Sequence, residues 1–496
     1  MKHTIAITSI TPLVCLSGFC YSMETASQKA DVKQDAAQKP NVLVIMVDQM
    51  ATWTLGCYGG NEIGTPNIDA LASEGSLLTG FYVSTPVSTP SRGSFMTGLY
   101  PNEHGAYKND KQIRQDVSTW AQALRDAGYQ TGYAGKWHLD GNPQRPGWDI
   151  RGKDMGWSDR TQMYSFGHYK FIDCDVQGQP FFDPDAMATN PANYPTDWFT
   201  DRTLEFIDKH KNGNFCYMLS IPDPHVPYVA RAPYNAMYPP STMKMPATLT
   251  EKPKSNHFLY NETRQKSSDP KVKAKSEYNE IVKTLPQNKS QYFGMIKCID
   301  DNIGRMIAYL KANNLYDNTI IVFTADHGDM MGEHGRMAKA VPFDGAARVP
   351  FIVRYPAKIK AGTVCDNIAS SIDFYPTLLA LAGIEQKTKV SGKNMDAILT
   401  GSPNVKTWND KAFYRCYSSN YPWVGVVTKE YKLVYGEKDV NNKALLIDRK
   451  KDPSESYNVI DDPAYASVVK SLTKDIMDYC RTHKDTHIEW LEKRIK

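Results

Sequence analysis

Asn41-Val42-Leu43-Val44-Ile45-Met46-Val47-Asp48-Gln49 is a short apolar run that ends on a carboxylate. A run of this length without polar alternation is the pattern of a strand covered on both faces, as in a parallel sheet. Similar runs occur at Phe215 to Ile221, at Thr319 to Phe323 just before Ala325-Asp326-His327-Gly328, and at Phe351 to Tyr355. Helical patterns lie between them. Thr65-Pro66 supplies a cap and a first helical residue for a helix through Leu71, and Thr119 to Ala127 and Thr196 to Lys209 also read as helices. Met295, Ile299, Ile303, Met306 and Leu310 recur at steps of four, four, three and four, which puts them on one helix face. Strands alternating with helices predict an α/β fold with a large, doubly wound, mostly parallel sheet. Ligands of such sheets gather at the carboxyl ends of the strands, where Asp48 and Asp326 fall.

From about residue 405 the pattern changes. Ala412 to Tyr417, Trp423 to Thr428, Tyr431 to Tyr435 and Ala444 to Ile447 are short strand candidates, which predicts a small antiparallel sheet. A last helix beginning at Asp462-Pro463 carries Tyr465, Val468, Leu472, Ile476 and Tyr479 on one face and can pack on that sheet. At the other end, Met1-Lys2-His3 precedes an apolar stretch from Ile5 to Tyr21, the pattern of an export signal. That stretch is too short and interrupted to span a membrane stably. Ser22 to Pro40 lacks apolar periodicity, as a tether would. The expected organisation is a signal peptide at 1–22, a linker at 23–40, a catalytic domain at 41–404 and a small α+β domain at 405–496. Release into the periplasm ranks above lipid anchoring at Cys20, because Ser17-Gly18-Phe19 matches a lipobox poorly.

With 496 residues, 41% hydrophobic and 23% charged, the chain can bury a large core. A net charge of +4 with interspersed signs argues against a nucleic-acid footprint or a polybasic anchor, while a compact anionic substrate fits. The nine cysteines never form a Cys-x-x-Cys pair, so neither a zinc knuckle nor a dense disulfide framework is indicated. Cys15 and Cys20 fall in the leader, and the other seven read as small buried hydrophobes.

Ser88-Thr89-Pro90-Ser91-Arg92-Gly93, followed by Phe95-Met96-Thr97-Gly98, is by composition a turn into a helix. Its company says more. Gly56-Cys57-Tyr58-Gly59, Thr65-Pro66-Asn67-Ile68-Asp69, Gly135-Lys136-Trp137-His138, Pro224-His225-Val226-Pro227, Ala325-Asp326-His327-Gly328, Gly332-Glu333-His334-Gly335 and Arg348-Val349-Pro350 stand in one order along the chain. With the apolar run at 41–48 they resemble the formylglycine-dependent sulfatases of the alkaline-phosphatase-like superfamily. The signature of that family is Cys or Ser, any residue, Pro, any residue, Arg, and Ser88 to Arg92 is similar to it in the serine form.

The resemblance implies that a sulfatase-maturating radical enzyme, in an anaerobic bacterial host, oxidises Ser88 to 3-oxoalanine (formylglycine). Its hydrate would offer one hydroxyl to attack sulfur and another to release the sulfate afterwards. It also implies a divalent metal held by Asp48, Gln49, Asp326, His327 and residue 88, with calcium first and manganese or magnesium next. The commonest family pattern has a second Asp where this chain has Gln49, and often Asn where it has His327. By the same resemblance Arg92 and Lys136 hold the diol, and Lys339 binds a sulfate oxygen. His138 serves as base, and His225 protonates or hydrogen-bonds the leaving alcohol. His104 and His334 read as structural. The expected enzyme is a sulfuric ester hydrolase acting on a sulfated carbohydrate, with no nucleic-acid partner and no transmembrane helix. One alternative is a phosphonate or phosphate ester hydrolase of the same superfamily. Another is a catalytically silent glycan-binding protein in which Ser88 stays unmodified.

Overall fold

The apolar runs become the central strands of an eight-stranded sheet. In the computed structural model the eight strands are β1 (Asn41–Val47), β2 (Ser76–Tyr82), β3 (Gln130–Lys136), β4 (Asp159–Tyr164), β7 (Phe215–Ile221), β8 (Thr319–Ala325), β9 (Phe351–Arg354) and β10 (Thr363–Ser370). The order across the sheet is β10-β2-β9-β8-β1-β7-β3-β4. β5 (Ile172–Cys174) and β6 (Pro180–Phe182) form a separate two-stranded ribbon. The structure describes residues 39–109, 111–139, 155–164, 172–174, 180–182, 193–249, 277–402, 405, 408, 410–417, 422–436, 444–485 and 488–495. The expected signal peptide and nearly all of the linker, at residues 1–38, lie outside the described residues.

Every residue of β1, β7 and β8 is buried, as strands covered on both faces must be. One helical layer joins Pro66–Ser73 and Pro195–His210 to the long helix Glu277–Ala312; another joins Ser88–Thr97, Trp120–Asp126 and Phe374–Ala382. Met295, Ile299, Ile303, Met306 and Leu310 are each fully buried, so the predicted stripe is the one that packs inward. Burying such side chains stabilises by about 1.5–3 kcal/mol apiece. Thr119 caps its helix by accepting from the backbone N–H of Gln122, while the Gln122 side chain reciprocates.

One strand runs against expectation. β9 is antiparallel to both β2 and β8, although its sequence reads like its parallel neighbours. The remaining pairs in this sheet are parallel. Strand direction is set by the connection, and an apolar run carries no sign of it.

The small sheet has the order β11-β12-β13-β14, formed by Lys411–Cys416, Trp423–Thr428, Tyr431–Gly436 and Leu445–Asp448, all antiparallel. Val424, Val426, Leu433 and Leu446 on one face pack with Leu472, Ile476 and Tyr479 of the helix Ala466–Thr482. Tyr414, Trp423, Val434 and Ile447 on the other face pack with Tyr82, Val87 and Phe343. Val87 is the residue before Ser88, so this second core braces the start of the helix Ser88–Thr97. The residues 39–496 form one compact unit. Among the described residues no helix is long and apolar enough to cross a membrane. Cys57, Cys216, Cys298, Cys365, Cys416 and Cys480 are unbridged, and all of these but Cys57 are buried.

Candidate functional site

Register alone assembles the floor of the site. Val47 of β1 pairs with Ile221 of β7 and with Ala325 of β8, and Gly135 of β3 pairs with Ser220 of β7. The chains therefore leave the sheet on one level, and Asp48, Asp326 and Lys136 emerge side by side. The Asp326 amide donates to Val47 O at 3.2 Å, and the Asp48 amide to Ile221 O at 3.1 Å. Gly135 has φ +100°, and a Cβ there would lie 1.9 Å from Ser220 O, so only glycine lets β3 deliver Lys136 this close to β7.

Ser88 starts the helix Ser88–Thr97, with extended Val87 as its cap residue. Gly93 allows that helix to lie on His104: a Cβ there would meet His104 Cε1 at 2.4 Å. His104 accepts at Nδ1 from Ala106 N, 3.2 Å away, so Nε2 carries the proton and donates toward Pro90 O at 3.2 Å. Burial pushes its pKa down to about 4. His334 stacks on Phe343 at 4.2 Å.

Around Ser88 the charges are dense and buried. Asp48, Asp326 and His327 offer ligand atoms that all lie within 4.8 Å of one another. His327 Nδ1 is 3.0 Å from Gly328 O, which places the proton on Nδ1 and turns the Nε2 lone pair to the site. That Nε2 is 2.9 Å from Ser88 Oγ and 3.6 Å from a carboxylate oxygen of each aspartate. Arg92 donates to Asp326 Oδ2 (2.9 Å), Asp48 Oδ2 (3.3 Å), Lys136 O (2.9 Å) and Ser220 Oγ (2.6 Å). Lys136 Nζ donates to Asp48 Oδ2 at 2.5 Å and to Ser88 Oγ at 3.4 Å. Two carboxylates thus face two cations beside one hydroxyl.

A second tier lies across from it. Lys339 Nζ donates to Gln49 Oε1 at 2.9 Å and to His225 Nε2 at 2.7 Å. His225 Nδ1 sits 2.8 Å from Val226 O, so Nε2 is the accepting atom. His138 follows Lys136 by two residues, with its carbonyl taking a 2.9 Å bond from Thr89 Oγ1. Gln49 and His138 hold φ of 68° and 60°, left-handed backbone that side chains other than glycine rarely adopt.

Burial dominates the electrostatics. It pushes Lys136 down to about 8 against the pull of Asp48, and lowers Lys339 despite Asp48 and Asp326. It raises the Asp326 carboxyl, with Arg92 opposing. The imidazoles of His138, His225 and His327 are all held well below the usual histidine range, first by burial and then by neighbouring lysines.

All ten residues singled out from the sequence meet at this one edge of the sheet. Gln49 differs in manner: its side chain is committed to Lys339 through Oε1 and to Asp329 through Nε2 (2.7 Å). Three contributors went unread. Asp329 accepts from Gln49 and Tyr228, Ser220 from Arg92, and Asn109 from the Thr89 amide at 3.2 Å. Asp329 stands two residues beyond His327, a position that adjacency could have flagged. Nothing near Asn109 or Ser220 in the chain marks them.

A family model described as Sulfatase matches residues 40–384, and one described as N-sulphoglucosamine sulphohydrolase, C-terminal, matches residues 332–482. An N-acetylglucosamine-6-O-sulfatase of Bacteroides thetaiotaomicron is 29% identical, across 92% of this chain and 89% of its own. A solved structure of a protein with its substrate D-glucosamine-2-N,6-O-disulfate superposes with a TM-score of 0.74 at 27% identity, covering 90% of this chain and 99% of that one. A phosphonate monoester hydrolase from Silicibacter pomeroyi superposes with a TM-score of 0.73 at 26% identity, covering 90% and 96%.

Proposed function

The chain belongs to the sulfatase family of sulfuric ester hydrolases, and on that premise we propose that it removes sulfate from a sulfated carbohydrate at residue 88. The observation that carries this reading is the buried cluster beside Ser88 Oγ: His327 Nε2 and Lys136 Nζ touch that oxygen, and Asp48, Asp326 and Arg92 pair with one another next to them. The sulfatase of an amino sugar and the structure holding a sulfated glucosamine support a glycan as the substrate class.

The donor set fits a divalent ion. Hard carboxylate oxygens from Asp48 and Asp326 and a neutral imidazole nitrogen of His327 lie within reach of a single centre. Gln49 Oε1 has a second lone pair beside Lys339 and would complete the set. Calcium is the ion we infer, with manganese or magnesium next because of the nitrogen donor. Such an ion would supply charge that acidifies an oxygen on residue 88 and neutralises a sulfate oxygen. Oxidation of Ser88 to 3-oxoalanine by a maturating enzyme would supply, as its hydrate, a nucleophile and a built-in route for release.

The chain's own groups then divide the work. Arg92 fixes Asp48 and Asp326 in one orientation by donating to both. Lys136 Nζ, already in contact with Ser88 Oγ, steadies negative charge on that oxygen. Lys339 Nζ presents an ammonium to a sulfate oxygen, and its proton is shared with His225 Nε2 next to where the alcohol departs. His138 is the base that takes a proton from residue 88 in the second half of the cycle. Groups of this kind typically contribute ~10²–10⁴-fold each.

We further infer that 1–22 directs export to the periplasm, that 23–40 is a linker, and that 41–404 and 405–496 are catalytic and accessory domains. The test is a panel of position-defined sulfated sugars, with an aryl sulfate, a phosphonate monoester and a phosphate diester alongside. Sulfate release from a sugar is expected. Faster turnover of the phosphonate than of every sulfate would overturn the reading. Intact-mass analysis of the Ser88 peptide, after expression with a maturase, should show a loss of about two mass units.

A further inference from the structure

Asp329 is buried, and all four of its acceptor positions are filled. Oδ1 accepts from Met331 N at 2.9 Å and Ala338 N at 2.8 Å. Oδ2 accepts from Gln49 Nε2 at 2.7 Å and Tyr228 OH at 2.7 Å. Three of these four partners, Gln49, Ala338 and Tyr228, bear on the second tier of the site.

Gln49 is an amide that could point either way. Asp329 Oδ2 takes its NH₂ end, and Lys339 Nζ, which can only donate, takes Oε1, so the two partners fix one orientation. Ala338, held by its N–H, has φ +61° and directly precedes Lys339, so the same carboxylate pins the strained turn that delivers the ammonium. Tyr228 lies three residues beyond His225 and anchors the loop that carries it. One carboxylate therefore sets the Lys339 to His225 contact from three sides.

We propose that Asp329 is a positioning residue for protonation of the leaving oxygen, acting through Gln49, Lys339 and Tyr228 and touching no substrate itself. This rests on the sulfatase reading above. Its chemistry separates it from a residue that only stabilises the fold. A sugar alkoxide needs its proton during departure, whereas a nitrophenolate leaves readily without one. Loss of alignment should penalise the first far more than the second.

The experiment compares matured parent, Asp329→Asn, Lys339→Ala and the double variant on a sulfated sugar and on 4-nitrophenyl sulfate. Asp329→Asn should lower kcat about 10²-fold on the sugar and less than about 5-fold on the aryl ester. On the sugar it should add less than about 3-fold to the loss from Lys339→Ala, because the two act as one unit. Equal losses on both substrates, or full additivity in the double variant, would overturn the proposal. Should Asp329→Asn fail to fold, Tyr228→Phe removes one bond to the same oxygen. The same bias toward the sugar is expected there, and equal losses refute it. A parent silent on both sulfates strikes the sulfatase reading and this inference with it; an active parent whose variants lose equally strikes this inference alone.

Discussion

Replacing Arg92 with methionine should weaken the metal-free fold and tighten its hold on a divalent cation together. The guanidinium is buried and makes four donor contacts, two of them to the carboxylates of Asp48 and Asp326. Without a metal, Arg92 and Lys136 balance the two aspartates; methionine leaves one negative charge uncompensated. Breaking a buried pair in this way costs about 3–5 kcal/mol. With a divalent ion bound, that charge is answered again. The remaining loss, two hydrogen bonds to Lys136 O and Ser220 Oγ, comes to about 1–2 kcal/mol. The difference, about 2–3 kcal/mol, must appear as affinity, because a ligand that binds only the native state stabilises it by linkage. At about 1.4 kcal/mol per factor of ten, the variant should bind calcium roughly 30- to 100-fold more tightly than the parent. Thermal melts in chelator and in graded calcium, with direct calorimetric titration, measure both halves. Equal or weaker calcium binding by Arg92→Met would refute the charge balance drawn for this site.

Ser88→Ala should abolish turnover of a sulfated sugar by about 10⁴-fold or more while the melting temperature hardly moves; activity within tenfold of the parent would end the assignment of residue 88. Gly93→Ala should gain about 1 kcal/mol of helix propensity and lose about 1–3 kcal/mol to the clash 2.4 Å from His104 Cε1, so a more stable and fully active variant would contradict the packing. Asp373, buried and accepting from Ser370 N and Lys393 N, is pushed up to about 6 by burial. Its folded value exceeds its unfolded value of about 4, so the stability it contributes is complete below pH 4 and is lost as pH rises through 6, about 3 kcal/mol in all. The stability difference between parent and Asp373→Asn, from denaturant melts at pH 4 and pH 8, should shrink by that amount; a constant difference would count against it.

The fold was readable where burial leaves a period. β1, β7 and β8 came from unbroken apolar runs, and the stripe Met295 to Leu310 from its helical spacing. β3 was not, because Gln130-Thr131-Gly132-Tyr133-Ala134-Gly135-Lys136 contains two glycines and has little strand propensity of its own. It becomes a strand because β7 and β4 pair with it on either side. β10 carries Asp366 and Asn367 and, among the described residues, pairs with β2 alone, so edge position excuses a pattern that reads as loop.

For the site, the apolar runs put Asp48 and Asp326 at the carboxyl edge of such a sheet, and the resemblance to the sulfatases picked out the other eight residues that gather there. What the chain alone could not contain is who faces whom. Gln49 and Asp329 stand 280 positions apart, and the choice of amide end that turns Gln49 Oε1 to Lys339 is made only when β1 and β8 lie in register. Hydrogen-bond direction, tautomer and charge balance are properties of the assembled edge. Residue types decide which chemistry is possible, and the three-dimensional arrangement decides which proton sits where.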